Sequence, residues 1–128
     1  MKILITGING TVGRALAVHL QAQGHEVYGW NRQHIAIDSY PVMEAYCRGL
    51  QPDVIYHLAI ASSSTGKENE SWLVNYTWSS ELAWICRILN IQFIFASTAL
   101  VFSAQQAGPY TLDSIPDAAE GYGFEKRM

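Results

Sequence analysis

The sequence predicts an α/β domain with a doubly wound parallel sheet, and three observations carry the prediction. An apolar run at 3–5 passes straight into a glycine-rich turn and then a helical pattern. The run 54–59 is apolar almost throughout, as a strand covered by helices on both faces must be. Short apolar runs then alternate with helical patterns to the end of the chain, the order that produces a parallel sheet.

Composition bounds what such a domain can do. With 128 residues the chain is read as one domain, 1–128, and with 49% hydrophobic and 15% charged residues it can build a core. A net charge of −3 leaves no electrostatic footprint for nucleic acid, and no basic run addresses a membrane surface. Met1 and Lys2 lead directly into the first strand without a targeting or spanning stretch, so the expectation is a cytoplasmic protein. Cys47 and Cys86 lie in different predicted helices without metal-ligand spacing and read as reduced core thiols. There is no internal repeat, linker or low-complexity block.

The turn Thr6-Gly7-Ile8-Asn9-Gly10-Thr11-Val12-Gly13 organises the rest. A strand that feeds a helix through such a turn aims the unpaired N–H groups and the positive end of the helix at one spot, where a pyrophosphate fits. Gly7 allows the sharp turn, Gly10 removes a side chain where phosphate must approach, and Gly13 lets the helix pack close to the strands. Gly7, Asn9, Gly10, Thr11, Val12 and Gly13 are therefore the expected phosphate-facing set of a Rossmann-type dinucleotide fold.

Val12, Leu16, Ala17 and Leu20 recur at helical spacing, and Gly24 supplies the stop. A second strand, 27–30, ends in Asn31 and Arg32. At that point a carboxylate would bind a ribose 2′-hydroxyl and an arginine accommodates a 2′-phosphate, so NADP is expected ahead of NAD. Residues 35–39 read as a weak third strand, and Asp38, Ser39 and Pro41 as the start of a helix through Leu50, with Asp38 its cap. After the break at 51–53 comes the central strand, followed by the small-residue run 59–64, in which Ala59, Ile60 and Ala61 would let backbone lie against a cofactor. His57 in that strand reads as structural rather than as a base.

The longest helical pattern covers 68–90, with Val74, Trp78, Leu82, Ile85 and Leu89 on one face and Trp72 and Trp84 beyond it. Such apolar excess calls for a second cover, either a homodimer partner or a longer parent chain. Asn75 inside this helix is expected to steady a loop or water near the cofactor or to lie exposed. A fifth strand at 91–96 brings Ser97 and Thr98 to its carboxyl end, and the predicted strand order is 3-2-1-4-5. Tyr122 and Lys126 are four apart and share a helix face. A phenol is a poor acid-base group near neutrality, and an adjacent ammonium lowers its pKa toward the working range.

This ordered set resembles the extended short-chain dehydrogenase/reductase family and, among its branches, looks most like dTDP-4-dehydrorhamnose reductases and related NAD(P)-dependent sugar-nucleotide enzymes. The likeness covers essentially the whole chain through Thr6–Gly13, 52–59, Val74 with Asn75, Ser97 and Thr98 with Val101 and Phe102 beyond, Pro109 with Tyr110, and Tyr122, Gly123 and Lys126. It implies Thr98 as the catalytic hydroxyl, Tyr122 as acid/base, and Lys126 as the residue that binds the nicotinamide ribose and tunes Tyr122. Asn75 and the 59–62 loop would line the cofactor. The implied reaction is hydride transfer from NADPH to the carbonyl of a keto-sugar nucleotide. A related epimerase or dehydratase retaining NAD, and a non-catalytic dinucleotide-binding module, are the alternatives. Members of that family run considerably longer, with later strands and a C-terminal substrate lobe. The expectation is accordingly a Rossmann portion truncated after its fifth strand, with Tyr122 and Lys126 on a short helix that needs tertiary support.

Overall fold

In the computed structural model, which describes residues 1–60, 70–98, 101–103, 106, 108–109, 111–119 and 121–128, strand and helix alternate from the start of the chain. The order is β1 (Lys2–Thr6), α1 (Thr11–Ala22), β2 (Glu26–Gly29), α2 (Tyr40–Leu50), β3 (Val54–His57), α3 (Glu70–Trp72), a π-helical segment (Leu73–Thr77), α4 (Trp78–Leu89), β4 (Gln92–Phe95) and α5 (Gly121–Arg127). The four strands are all parallel in the order β2-β1-β3-β4, with Leu4 opposite Tyr28 on one side and Ile55 on the other.

That arrangement is the predicted order without its first member, because residues 35–39 form no strand. Alternating Ile35 and Ile37 imitate a strand in sequence, but the chain turns here. His34 and Ile35 N–H both donate to Asn31 O, and Trp30 Nε1 donates to Ile35 O at 3.1 Å. Ile37 is buried from a loop, by side-chain packing rather than by a ladder.

Side-chain alternation along the strands gives the sheet two different cores. Leu4 and Ile55 face α2 and α4, where they join Trp30, Met43, Val74, Trp78, Leu82 and Ile85. Ile3, Ile5 and Val54 face α1, where they meet Ala17 and Leu20 in a smaller, aliphatic cluster. Val12, read as one of the apolar stripe of α1, is 66% exposed instead, because the first turn of the helix overhangs the end of β1.

Local chemistry explains the helix ends. At the end of α1, Gly24 has φ +89°, its N–H bonds Gln21 O, and His25 N–H reaches Leu20 O, so the last carbonyls are satisfied. Ser39, not Asp38, precedes the first turn of α2, with Pro41 early in the helix and no side-chain capping bond from either residue. The predicted helix 68–90 is observed as contiguous helical turns over 70–89 whose hydrogen bonding switches from α to π geometry over Leu73–Thr77. Val74, Trp78, Leu82 and Ile85 are buried as their spacing requires, whereas Trp84 is 53% exposed with the Arg87 guanidinium 5.8 Å from its ring centre. No helix among the described residues is long and apolar enough to cross a membrane.

Both cysteines are buried free thiols, Cys47 on α2 and Cys86 on α4, within the same core cluster. Burial pushes their pKa values up to about 11 and about 12. Since the thiolate is the reactive form, native protein at neutral pH should leave both unlabelled by a thiol reagent, with both titrating after denaturation. Rapid native labelling would show that α2 and α4 separate readily.

Candidate functional site

The carboxyl ends of the parallel strands form the edge where ligands bind in folds of this kind, and the glycine turn lies there. Gly7 follows β1 with φ +71°, and a Cβ on it would stand 2.9 Å from Ala59 N. A Cβ on Gly13 would stand only 2.1 Å from Gly7 O, so α1 begins in direct backbone contact with the turn. Gly10 differs. Its N–H donates to Gly7 O at 3.0 Å, its φ is an ordinary −76°, and an added Cβ would meet nothing nearer than Gly7 O at 3.3 Å. Gly10 is itself exposed, bordered by exposed Asn9, Thr11 and Val12 and by the free N–H groups of a helix with no acidic residue in its first turn. A diphosphate fits such a cradle.

Beside the cradle, a cavity of about 400 Å³ is lined by Ile8, Asn9, Gly29, Trp30, Asn31, Arg32 and Gln33. Asn31 Oδ1 accepts the Gln33 N–H at 3.0 Å, so this amide braces its own loop, while Arg32 is exposed at the rim. Ala59, beyond β3, backs directly onto Gly7, Ile60 is exposed, and Ala61 lies outside the described residues.

Beneath this crevice runs a buried hydrogen-bonded row whose members lie far apart in the chain. Thr6 Oγ1 accepts the N–H groups of Leu58 at 3.0 Å and Ala59 at 3.1 Å, which leaves its proton for His57 Nδ1 at 2.8 Å. His57 Nε2 must then carry hydrogen and donate to Ser79 Oγ at 2.8 Å, and Ser79 donates onward to Asn75 O at 3.3 Å. Thr6 and His57 are fully buried. Burial, with a smaller effect of the nearby Lys126 charge, takes the imidazole down to about 3, so it is neutral. The structural role expected of His57 is observed, but its orienting partners lie 51 and 22 residues away.

The same face carries Lys126. Its Nζ lies 4.2 Å from the centre of the Phe95 ring and 5.9 Å from that of Tyr122. The residue is 6% exposed, and Nζ has no hydrogen-bond partner among the described residues. Burial lowers the lysine pKa and raises that of Tyr122. Tyr122 and Lys126 thus share a helix face as their spacing requires, with the ammonium resting over the Phe95 ring. A cavity of about 280 Å³ borders Lys126, Phe95, Asn75 and Glu125. Asn75 is buried, not exposed, and its Nδ2 donates to Ser71 Oγ and Glu125 Oε1, each at 3.3 Å.

Thr98 sits half-buried beyond the carboxyl end of β4, its carbonyl accepting the Val101 N–H at 3.3 Å. Val101 O in turn accepts Asp117 and Ala118 N–H, and the Asp117 carboxylate takes both the N–H and the hydroxyl of Ser103, which holds it below the usual carboxylate range. Val101 and Ser103 are therefore tied to Asp117 and Ala118. Ser71, Ser79 and Glu125 are the polar residues of this region that local sequence pattern did not single out.

A doubly wound parallel sheet with its glycine turn at the carboxyl end of the first strand is a Rossmann-type α/β fold. Within that class the chain belongs to the family described as RmlD substrate binding domain, whose model matches residues 1–128. It is 31% identical to a dTDP-4-dehydrorhamnose reductase of Mycolicibacterium smegmatis over 130 residues, covering 98% of this chain and 39% of that protein. The crystal structure of a dTDP-4-dehydrorhamnose reductase from Clostridium acetobutylicum superposes with a TM-score of 0.87 at 25% identity, covering 98% of this chain and 46% of the other. The same fold occurs at 22% identity in the Bacillus anthracis enzyme of that name in complex with NADP, with a TM-score of 0.82, covering 98% of this chain and 46% of the other. It also occurs, again at 22% identity, in Bordetella bronchiseptica WbmG in complex with NAD and UDP, with a TM-score of 0.83 and the same coverage. The chain spans less than half the length of the curated relatives it matches.

Proposed function

We propose that this chain forms the cofactor-binding part of an NADPH-dependent reductase of a keto-sugar nucleotide, of the dTDP-4-dehydrorhamnose reductase type. The observation that carries the reading is the pairing of an open glycine cradle with a buried ammonium, Lys126, that lacks a partner among the described residues. A buried charge left unpaired is costly, and ribose hydroxyls would relieve it. Gly7, Asn9, Gly10, Thr11, Val12 and Gly13 hold the diphosphate, Asn31 and Arg32 the adenosine end with its 2′-phosphate, and Ala59, Ile60, Ala61 and Asn75 the inner wall. Bound NADPH supplies the hydride. Tyr122 gives a proton to the oxygen of the substrate carbonyl and Thr98 donates a hydrogen bond to the same oxygen. The reductase name of the Mycolicibacterium smegmatis relative and the NADP complex of the Bacillus anthracis enzyme support this assignment. The exposed Trp84 on α4 supports a second part of the reading, a homodimer through the outer face of that helix.

Isothermal titration with NADPH and NADH tests the assignment. Wild-type chain should bind NADPH more tightly than NADH. Gly10→Glu should weaken NADPH binding by about 100-fold, or about 2.8 kcal/mol, with an unchanged circular dichroism spectrum, since φ −76° at Gly10 suits any residue and the new Cβ, 3.3 Å from Gly7 O, asks only a slight shift of the turn. Retained affinity in that variant would remove the cradle from the site, and a preference for tightly held NAD would favour an epimerase or dehydratase.

A further inference from the structure

Tyr122 and Lys126 can serve the reaction proposed above only if α5 is held against the rest of the fold. The helix has seven residues, too few to persist in water on its own. Besides the Lys126–Phe95 approach, three contacts among the described residues hold it. The Phe124 ring stacks on Trp72 at 6.2 Å, Arg127 Nη1 donates to Ala118 O at 2.7 Å, and the Glu125 carboxylate reaches back across the chain. Its Oε1 accepts the Ser71 hydroxyl at 2.6 Å and the Asn75 amide at 3.3 Å, residues 54 and 50 positions earlier. The first is a short bond to an ionised acceptor, the strong kind.

The receiving side is built to match. Ser71 and Asn75 stand four apart and are bonded to each other, and Asn75 lies in the π-helical segment, a departure from α geometry that often marks functional positions. The carbonyl of the same Asn75 accepts the Ser79 hydroxyl that ends the row from Thr6 through His57. Asn75 therefore joins α5, through its side chain, to the floor of the crevice, through its backbone. Neighbouring residues on a helix do not face each other. The carboxylate next in sequence to Lys126 accordingly engages Ser71 and Asn75 and forms no ion pair with Lys126, whose Nζ is left without a hydrogen-bond partner among the described residues.

We propose that Glu125 is a positioning residue: it sets the helix bearing Tyr122 and Lys126 on the π-helical segment without neutralising Lys126, and it does not itself touch cofactor. The inference rests on the reductase reading for its functional meaning, but the docking it describes can be measured separately. In the 128-residue chain, Glu125→Ala should abolish amide-exchange protection across 121–127 and weaken NADPH binding by about tenfold, with the exchange of β1 and β3 unaltered. Glu125→Gln keeps an acceptor oxygen at the same place and should retain protection and bind within about threefold of wild type. Because one bond joins them, Ser71→Ala combined with Glu125→Ala should lose less than the sum of the two single losses. Wild-type protection and affinity in Glu125→Ala would overturn the proposal, as would equal losses in the alanine and glutamine variants. If wild type binds neither nucleotide, the reductase reading fails, while the exchange data still decide whether Glu125 docks the helix.

Discussion

Gly13→Ala is expected to lower the stability of the fold by about 3 kcal/mol and to remove nucleotide binding with it. The sign is informative because two effects oppose each other. Gly13 lies inside α1, where alanine is favoured over glycine by about 1 kcal/mol. Against this, the new methyl would stand 2.1 Å from Gly7 O and 2.9 Å from both Gly7 C and Ile8 Cα, all of them backbone atoms. No rotamer change can relieve such a contact. Either α1 withdraws from β1, uncovering Ala17 and Leu20, or the turn gives up its shape. Urea denaturation of the two proteins side by side measures the outcome, and equal or greater stability in Gly13→Ala would show that the turn and helix are not packed as described.

The second large effect belongs to His57. Its alanine variant should lose about 3–5 kcal/mol, from the cavity left by a buried ring and from the Thr6 and Ser79 hydroxyls deprived of a partner. The wild-type ring also makes stability depend on pH in a definite direction. In the folded protein the imidazole pKa is about 3, below its ordinary 6.5, so protonation favours the unfolded chain. The contribution is complete above 6.5 and drains away as pH falls toward 3. Between about pH 7 and about pH 5, unfolding free energy should drop by about 2 kcal/mol from this group. His57→Phe keeps a ring among Trp78, Phe93 and Phe95, the nearest 4.9 Å away centre to centre, and should flatten that part of the profile. An unchanged acid slope in the phenylalanine variant would assign the dependence to another group.

What the sequence made legible is what local chemistry decides. The turn from Thr6 to Gly13, the end of α1 at Gly24, the buried run at 54–57 and the two core cysteines each follow from residues a few positions apart. Failures occurred where hydrogen bonds that periodicity does not record decide, whether their partners are near or far in the chain. Ile35 and Ile37 have the alternation of a strand, but the Trp30 indole and the Asn31 carbonyl bend them into a turn. The helical periodicity over 68–90 carries no mark of the π-helical segment at Leu73–Thr77. Orientation of His57 depends on Thr6 and Ser79, and attachment of α5 on Ser71 and Asn75, pairs that only the folded chain brings together. Spacing likewise shows that Tyr122 and Lys126 share a helix face but not that the long lysine side chain rests over the Phe95 ring.

The hydrogen bonds of residues 31–35 stay within the loop after β2, through Asn31 to Gln33, His34 and Ile35 and through Trp30 to Ile35, while Trp30 and Ile37 anchor it in the core. The row beneath the crevice, by contrast, ties β1, β3 and α4 into one piece. Anyone redesigning this protein thus has a replaceable rim and a fixed foundation: the Asn31 and Arg32 positions can be rewritten as a cassette, whereas a change at Thr6, His57 or Ser79 alters every wall at once.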